Sequence, residues 1–396
     1  MAIFNKFQRA KQVAEILLRY GLDEFFERSN LEKWLPESLS NKLANESSGS
    51  VSVYERIRRA MEELGTTYVK LGQMLSDRRD LLPVEMITEL QKLQDKVEVQ
   101  PIDIAEKFQR ELGIDIHEHF ETLASEPMAS ASIGQVFKGR LKNGQDVAVK
   151  IKREGIDEVI KADLLILQDL VNFLEQRNDI ISNLQPKALL NTFKESITTE
   201  LSLESERRSI ERFANNFKQD SRILVPQTYS NLSNNNILCM DFVYGSKVTN
   251  KAQIEQQGLL AKDVALLGLD LYMKQVFEFG FFHADPHPGN ILLTPDGRIA
   301  FIDLGAMGKL SPKERELLGN CLYYASQKNV RKIIETIKQL AVSYNVPNEK
   351  ALENDLSEIF MLLTESNLAG LDISELMNRF TKIMSENSII MPEGVY

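Results

Sequence analysis

The stretch HADPHPGNILL, from His283 to Leu293, places the tightest constraint on how this chain folds. Pro286 and Pro288 lack backbone N–H donors and lock φ, so a regular helix interior is excluded there. Ile291–Leu293 then reads as a short strand, Pro295–Gly297 as a turn and Ile299–Ile302 as a second strand. A stiff polar loop therefore leads into a hairpin. The loop carries two of the chain's four histidines together with Asp285 and Asn290. Asp285 and Asn290 are five residues apart, and Asp303, in IDLG, lies thirteen beyond Asn290.

That interval is what phosphoryl transfer requires. A kinase catalytic loop, H-R-D-L-x-x-x-N, has the same aspartate-to-asparagine spacing, and D-F-G follows a short hairpin later. One carboxylate orients or deprotonates the nucleophile. The asparagine and the second carboxylate hold Mg²⁺ against the phosphates. Here Leu304 stands in place of the phenylalanine and Gly305 keeps the turn. A competing reading makes His283 and His287 ligands to zinc or iron. The prolines weaken it, since spacing by four is useful to a metal on a helix, and a transition-metal site wants further ligands while only His117 and His119 remain among the histidines. In the phosphoryl-transfer reading the histidines support the loop, His283 through hydrogen bonds.

Upstream, VFKGRL and DVAVKIK read as strands joined at Asn143–Gly144, a strong hairpin signal. Lys150 ends the apolar run VAVK, where a kinase places the lysine that pairs ATP phosphates. No glycine-rich loop precedes it. PMASASIGQVFKG, Pro127 to Gly139, offers instead Ala129, Ser130, Ala131 and Ser132, small enough for backbone N–H groups to approach phosphates, and then Gly134. A glutamate partner for Lys150 is expected from TTELSLESERRSIERF. Glu200, Glu204 and Glu211 lie on one face of a continuous helix and Glu206 is offset; spacing does not choose among them.

The 396-residue chain has room for two or three domains. Residues to about 110 read as helical, interrupted by the polar stretch Ser38 to Ser52 and by a break near Leu82–Pro83. Residues 113–152 are strand-like and 157–217 helical. ILVPQTYSNLSNNNILCMDFVYG then reads as two strands joined by a polar turn. The remainder is helical apart from 283–304. The division is 1–112, a helical extension; 113–244, a small lobe with strands; and 245–396, a mostly helical lobe. A net charge of −10 argues against nucleic acid as the main partner. The first residues form an amphipathic helix, expected to pack on its own protein, with membrane-surface contact as the lesser alternative. No apolar run is long enough to span a bilayer.

Together, Lys70–Gln73 (KLGQ) with SDRRDLLP, the Ala/Ser loop, Val147–Lys150, Glu200–Glu206, HADPHPGN and IDLG resemble the UbiB family of atypical kinases, also called AarF-domain-containing kinases. The resemblance runs from about residue 10 to 390. It implies an α+β, bilobal protein-kinase-like fold with the N-terminal extension folded over the active site, where Lys70 and Gln73 take space that a protein substrate would need. It implies Asp285, Lys150, Glu206 and Lys70 as catalytic residues, and Asn290 and Asp303 as Mg²⁺ ligands. It implies a nucleotide site formed by Ala129, Ser130, Ala131, Ser132, Ile133, Gly134, Val136, Ala148, Lys150, Met240, Asp241 and Val243. Glu200 matches the first residue of the family's E-x-D motif, but its third position is Ser202, which removes a carboxylate expected near Lys70. No A-P-E follows IDLG; AMGKLSPKEREL runs straight into a helix. Relatives are expected to continue past MPEGVY, in some cases with hydrophobic spans that this sequence does not include.

The expected function is that of an ATP- and Mg²⁺-dependent kinase or ATPase serving quinone or isoprenoid lipid biosynthesis. The expected location is cytoplasmic, with peripheral contact at the inner membrane face left open. A nucleotide-binding scaffold without turnover is the alternative.

Overall fold

The computed structural model describes residues 6–22, 51–76, 78, 82–93, 99–175, 186–365 and 373–392. Most of the polar stretch 38–52 lies outside them. The extension comprises α1 (Lys6–Arg19), α2 (Val53–Leu64), α3 (Thr66–Ser76) and α4 (Val84–Leu90). In α1 the small and branched side chains Ala10, Val13, Ala14 and Ile16 are buried, each branched one stabilising the docking by roughly 1.5–3 kcal/mol. The apolar face of α1 is thus spent on this protein's own helices. Ser52 caps α2, and Gly65, at φ +91°, separates α2 from α3. The sequence from Tyr54 to Ser76 is therefore two helices rather than one.

Next come α5 (Ile104–Leu112), α6 (Ile116–His119) and the strands β1 (Phe120–Leu123), β2 (Ala129–Ser130), β3 (Gly134–Leu141), β4 (Asp146–Lys152) and, later, β6 (Ile237–Asp241). They form an antiparallel sheet in the order β1-β3-β4-β6, with β2 on β3. Alternation along β4 and β6 gives the sheet two characters. Val147, Val149, Ile151, Ile237 and Cys239 pack on Phe108 of α5. Ala148, Leu238 and Met240 face the other way, into a large core shared with α1, α3 and the second lobe.

Among the described residues, three helices lie between β4 and β6: α7 (Ile156–Glu175), α8 (Pro186–Glu200) and α9 (Leu203–Asn216). The continuous helix expected across Glu200–Glu211 is broken. Ser202 caps α9, accepting from the Ser205 N–H, so Glu200 does not share a face with Glu204 and Glu211. The strand pair expected around residue 230 also differs. β5 (Ile223–Leu224) pairs in parallel with β10 (Ile299–Phe301), in another sheet. Ile223 and Ile299 are both buried in the large shared core, which therefore claims the first of those strands.

The second lobe holds β7 (Ser246–Lys247), α10 (Lys251–Gln256), α11 (Ala261–Met273), a π-helical segment Lys274–Phe279, β8 (Phe281–His283), β9 (Ile291–Leu293), β10 and β11 (Met307–Lys309). The β9–β10 hairpin forms as expected, with Phe301 opposite Ile291. Helices α12 (Pro312–Ser326), α13 (Val330–Leu340), α14 (Glu349–Glu365) and α15 (Ile373–Glu386) close the chain around a separate apolar cluster. A mostly antiparallel sheet lobe joined to a mainly helical lobe is the bilobal protein-kinase-like fold.

Candidate active site

Lys150 lies on the face of β4 that looks toward the second lobe, opposite Val136 on β3. Its Nζ is 2.8 Å from Glu206 Oε2 and 3.4 Å from Asp303 Oδ2. Glu206 comes from the first turn of α9, Asp303 from the turn after β10. Lys150 and Glu206 are only 6% and 3% exposed, so both charges depend on each other for solvation. Burial works to lower the Lys150 amine's pKa, but Asp303 and Glu206 outweigh it and hold it above the ordinary lysine range. Burial, with Asp303 and Glu200 adding to it, raises the Glu206 carboxyl, and Lys150 opposes this. Asp303 is held below the usual carboxylate range, first by Lys150 and also by the Gly305 N–H, which donates to Oδ1 at 3.0 Å. Of the glutamates that spacing left open, Glu206 is the one the fold brings to Lys150.

Two hairpins gather the other acidic and amide groups. The Ile302 N–H donates to the Asn290 carbonyl (3.0 Å), which sets Asn290 beside Asp303. The Ala284 N–H donates to the Ala306 carbonyl (3.0 Å), and Met307 pairs with His283, which brings Asp285 alongside the 303–306 turn. Leu304 is fully buried in the main core, the packing role expected of it. An amide and a carboxylate brought to neighbouring positions form a donor set that suits Mg²⁺, which keeps waters and takes few protein ligands.

His283 is buried, and its Nδ1 accepts the Asp285 N–H at 3.1 Å. The ring proton therefore sits on Nε2. Burial lowers the imidazole's pKa, with Asp303 and Asp285 opposing, so the ring is neutral at pH 7. His287 spends its Nδ1 on the Gly289 N–H, capping the short turn Pro288–Asn290. Both rings thus brace the loop, and no cluster of three metal-ligating side chains occurs among the described residues. Gln275, in the π-helical segment, accepts the His283 N–H (3.0 Å) and ties the loop to the lobe behind it.

The Ala/Ser loop is a tight turn in which the Ala131 N–H donates to the Gly134 carbonyl (2.8 Å). Gly134 answers to the sheet: a Cβ there would sit 2.9 Å from the Ile151 carbonyl oxygen. Arg153, buried just past β4, donates to Ser130 Oγ (2.7 Å) and to the Ala131 carbonyl (3.2 Å). From the extension, Thr66 Oγ1 donates to the Ser132 carbonyl (3.1 Å). Lys70 pairs with Glu200 at 2.9 Å, and Ser132 Oγ donates to the same carboxylate (3.4 Å). Lys70 therefore finds a carboxylate without the one that Ser202 replaces. Ile133, Ala148 and Met240 are buried around the cleft face of the sheet, Val136 and Val243 partly so. Asp241 behaves differently from its neighbours. Its carboxylate accepts from Tyr229 OH (2.8 Å) and the Gln227 N–H (3.1 Å), and its own N–H donates to the Gln227 carbonyl (2.8 Å), so both are engaged within the protein.

A family model described as the ABC1 atypical kinase-like domain matches residues 92–337. The chain belongs to this family. It is 33% identical over 98% of its length to an uncharacterized protein in the hydrogenase 1 5' region of Clostridium pasteurianum, covering 70% of that protein. It is 36% identical over 68% of its length to Protein ACTIVITY OF BC1 COMPLEX KINASE 3, chloroplastic, of Arabidopsis thaliana, covering 38% of it. It is 35% identical over 78% of its length to a "Probable protein kinase UbiB" of Shewanella loihica, covering 58% of it. Among solved structures, the Rv3197–erythromycin complex from Mycobacterium tuberculosis superposes with a TM-score of 0.55 at 23% identity, over 88% of this chain and 93% of that one. That likeness supports the fold. The UbiB resemblance read from the motifs and this ABC1-family membership agree.

Thr66, Arg153 and Gln275 had no signal in the sequence. Thr66 and Arg153 act through partners more than twenty residues away, and Gln275 through a backbone N–H on a neighbouring strand, none of which local spacing marks.

Proposed function

We propose that this chain is an ATP- and Mg²⁺-dependent atypical kinase or ATPase that serves quinone or isoprenoid lipid biosynthesis rather than phosphorylating proteins. The observation that carries the reading is Lys150 held between Glu206 and Asp303, at 2.8 and 3.4 Å. A buried lysine kept charged by two carboxylates is ready to meet phosphate oxygens. Asp303 and Asn290 would hold Mg²⁺, which would supply positive charge against the phosphates. Asp285, exposed at the loop tip, orients the attacking hydroxyl or water and takes its proton. Lys70, through Glu200, and Thr66 tie the extension to the Ala/Ser loop. That contact supports an acceptor smaller than a protein. The lipid or quinone assignment rests on the family resemblance.

The test is MgADP binding by calorimetry. Asp303→Asn abolishes it while the free nucleotide without Mg²⁺ is little affected; unchanged MgADP affinity in that variant rejects the assignment. Phosphate release measured with and without quinone-headgroup mimics separates an enzyme from a nucleotide-binding scaffold.

A further inference from the structure

A cavity of about 330 Å³ lies behind the catalytic loop, between α11 and the β9–β10 hairpin. Ile291, Ile299 and Phe301 form its floor, and Pro286 forms one wall. Its roof is one face of α11: Ala261, Val264, Ala265, Gly268, Leu269 and Tyr272 recur at helical spacing. No charged side chain lines it. Tyr272 directs its hydroxyl away to the His283 carbonyl, at 3.3 Å. Ala265 and Leu269 are exposed, so the mouth opens beside them, and Leu266 and Met273 add exposed apolar surface to the same helix.

Such an open-mouthed apolar pocket needs a reason, because contiguous apolar surface left accessible to solvent commonly marks a binding site. Here the chain keeps it open with small residues. A Cβ built on Gly268 meets nothing within 4 Å, so close packing does not demand glycine there. Glycine in a helix interior costs stability relative to alanine. Dry apolar cavities of roughly 150 Å³ already take up benzene, so this one accommodates roughly ten to twelve carbons, about twice benzene's six.

The walls reach the catalytic loop from two sides. Pro286 follows Asp285 directly, and Ile291 follows Asn290. Phe301 also packs on the His283 ring, with centroids 5.9 Å apart, and His283 is the residue that holds the Asp285 N–H. We propose that this cavity binds a single hydrocarbon chain of roughly ten carbons, and that its occupation fixes the loop that presents Asp285. The binding half stands independently; the effect on Asp285 rests on the function proposed above. The lack of polar lining leaves burial of the chain as the driving force.

The probe is 1-decanol, titrated calorimetrically into the full chain, with hydrogen exchange followed at Ala284, Asp285, His287 and Gly289. One site per chain is expected, with a negative heat-capacity change and exchange at those amides slowed several-fold. Gly268→Leu fills the space and abolishes both responses. If that variant misfolds by circular dichroism, Ala265→Met serves in its place. Binding that persists undiminished in a folded filled variant overturns the site, as does no saturable binding by the unmodified chain. Binding that leaves loop exchange unchanged overturns the coupling to Asp285. Phosphatidylcholine vesicles are the second arm. A response to vesicles alone that Gly268→Leu removes supports the site with a bilayer lipid as the source, and a response to free decanol supports it with a dispersed amphiphile. MgADP binding without chain uptake rejects the cavity alone, and chain uptake without MgADP binding rejects the nucleotide reading alone.

Discussion

Replacing Lys150 with methionine removes the cation that bridges Glu206 and Asp303 at 2.8 and 3.4 Å. Asp303 is 39% exposed in its side chain and can recover water, whereas Glu206 is at 3% and cannot. The loss therefore falls on Glu206. Stranding one member of a buried pair costs about 3–5 kcal/mol. Glu206→Gln is milder, because Lys150 keeps Asp303 and a neutral hydrogen-bond partner; the expected loss is about 1–2 kcal/mol. The double variant Lys150→Met/Glu206→Gln removes both charges and loses about 1–2 kcal/mol, no more than Glu206→Gln alone, a coupling of at least about 2 kcal/mol. Urea unfolding of the four proteins, compared by midpoint at constant slope, measures the cycle. A pH series adds a sign. In Lys150→Met the folded Glu206 pKa lies further above its unfolded value. The neutral carboxyl is favoured in the fold, so the variant's deficit is smallest at pH 5 and grows as the pH rises through the folded value. Equal losses for Lys150→Met and Glu206→Gln, with no coupling, would mean a solvated lysine and would refute the geometry on which the site is built.

Arg9→Met strands Asp163, which Arg9 Nε reaches at 2.7 Å and Thr67 at 2.6 Å in a fully buried setting; a loss of about 3–5 kcal/mol and faster amide exchange in α1 are expected. Asp220, gripped by Arg222 and Lys274 at 2.7 Å each, has its carboxyl held well below the usual range, first by Arg222. Its stabilisation is present above the unfolded pKa and lost as pH falls below about 4, so Asp220→Asn costs about 1–2 kcal/mol at pH 7 and flattens the acid limb of a stability–pH curve. Ser202→Ala removes the α9 cap and costs about 1 kcal/mol in urea unfolding, while Ser202→Asp, an equally good cap, stays within about 0.5 kcal/mol.

Local chemistry was legible from the sequence where it is carried by short intervals. Prolines at 286 and 288 exclude helix, and a hairpin of fixed length then carries Asn290 to the side of Asp303, so the intervals of five and thirteen residues encode a spatial meeting. The alternation in VAVK likewise commits Lys150 to one face of its strand. Spacing did not show which glutamate meets that lysine; only the family resemblance pointed to Glu206. The answer depends on Ser202 ending one helix and capping the next, a choice made by its bond to the Ser205 N–H and by its hydroxyl donating to Asn235, 33 residues away, at 2.7 Å. Likewise, Ile223–Leu224 reads equally well as a partner for its near neighbour and for β10, and only burial in the large shared core decides. Sequence periodicity reports the face a residue takes on its own element. The tertiary structure alone decides which burial wins, and so it set the clamp of Thr66 and Lys70 on the Ala/Ser loop, the neutral His283 behind Asp285, and the space left open beneath Gly268.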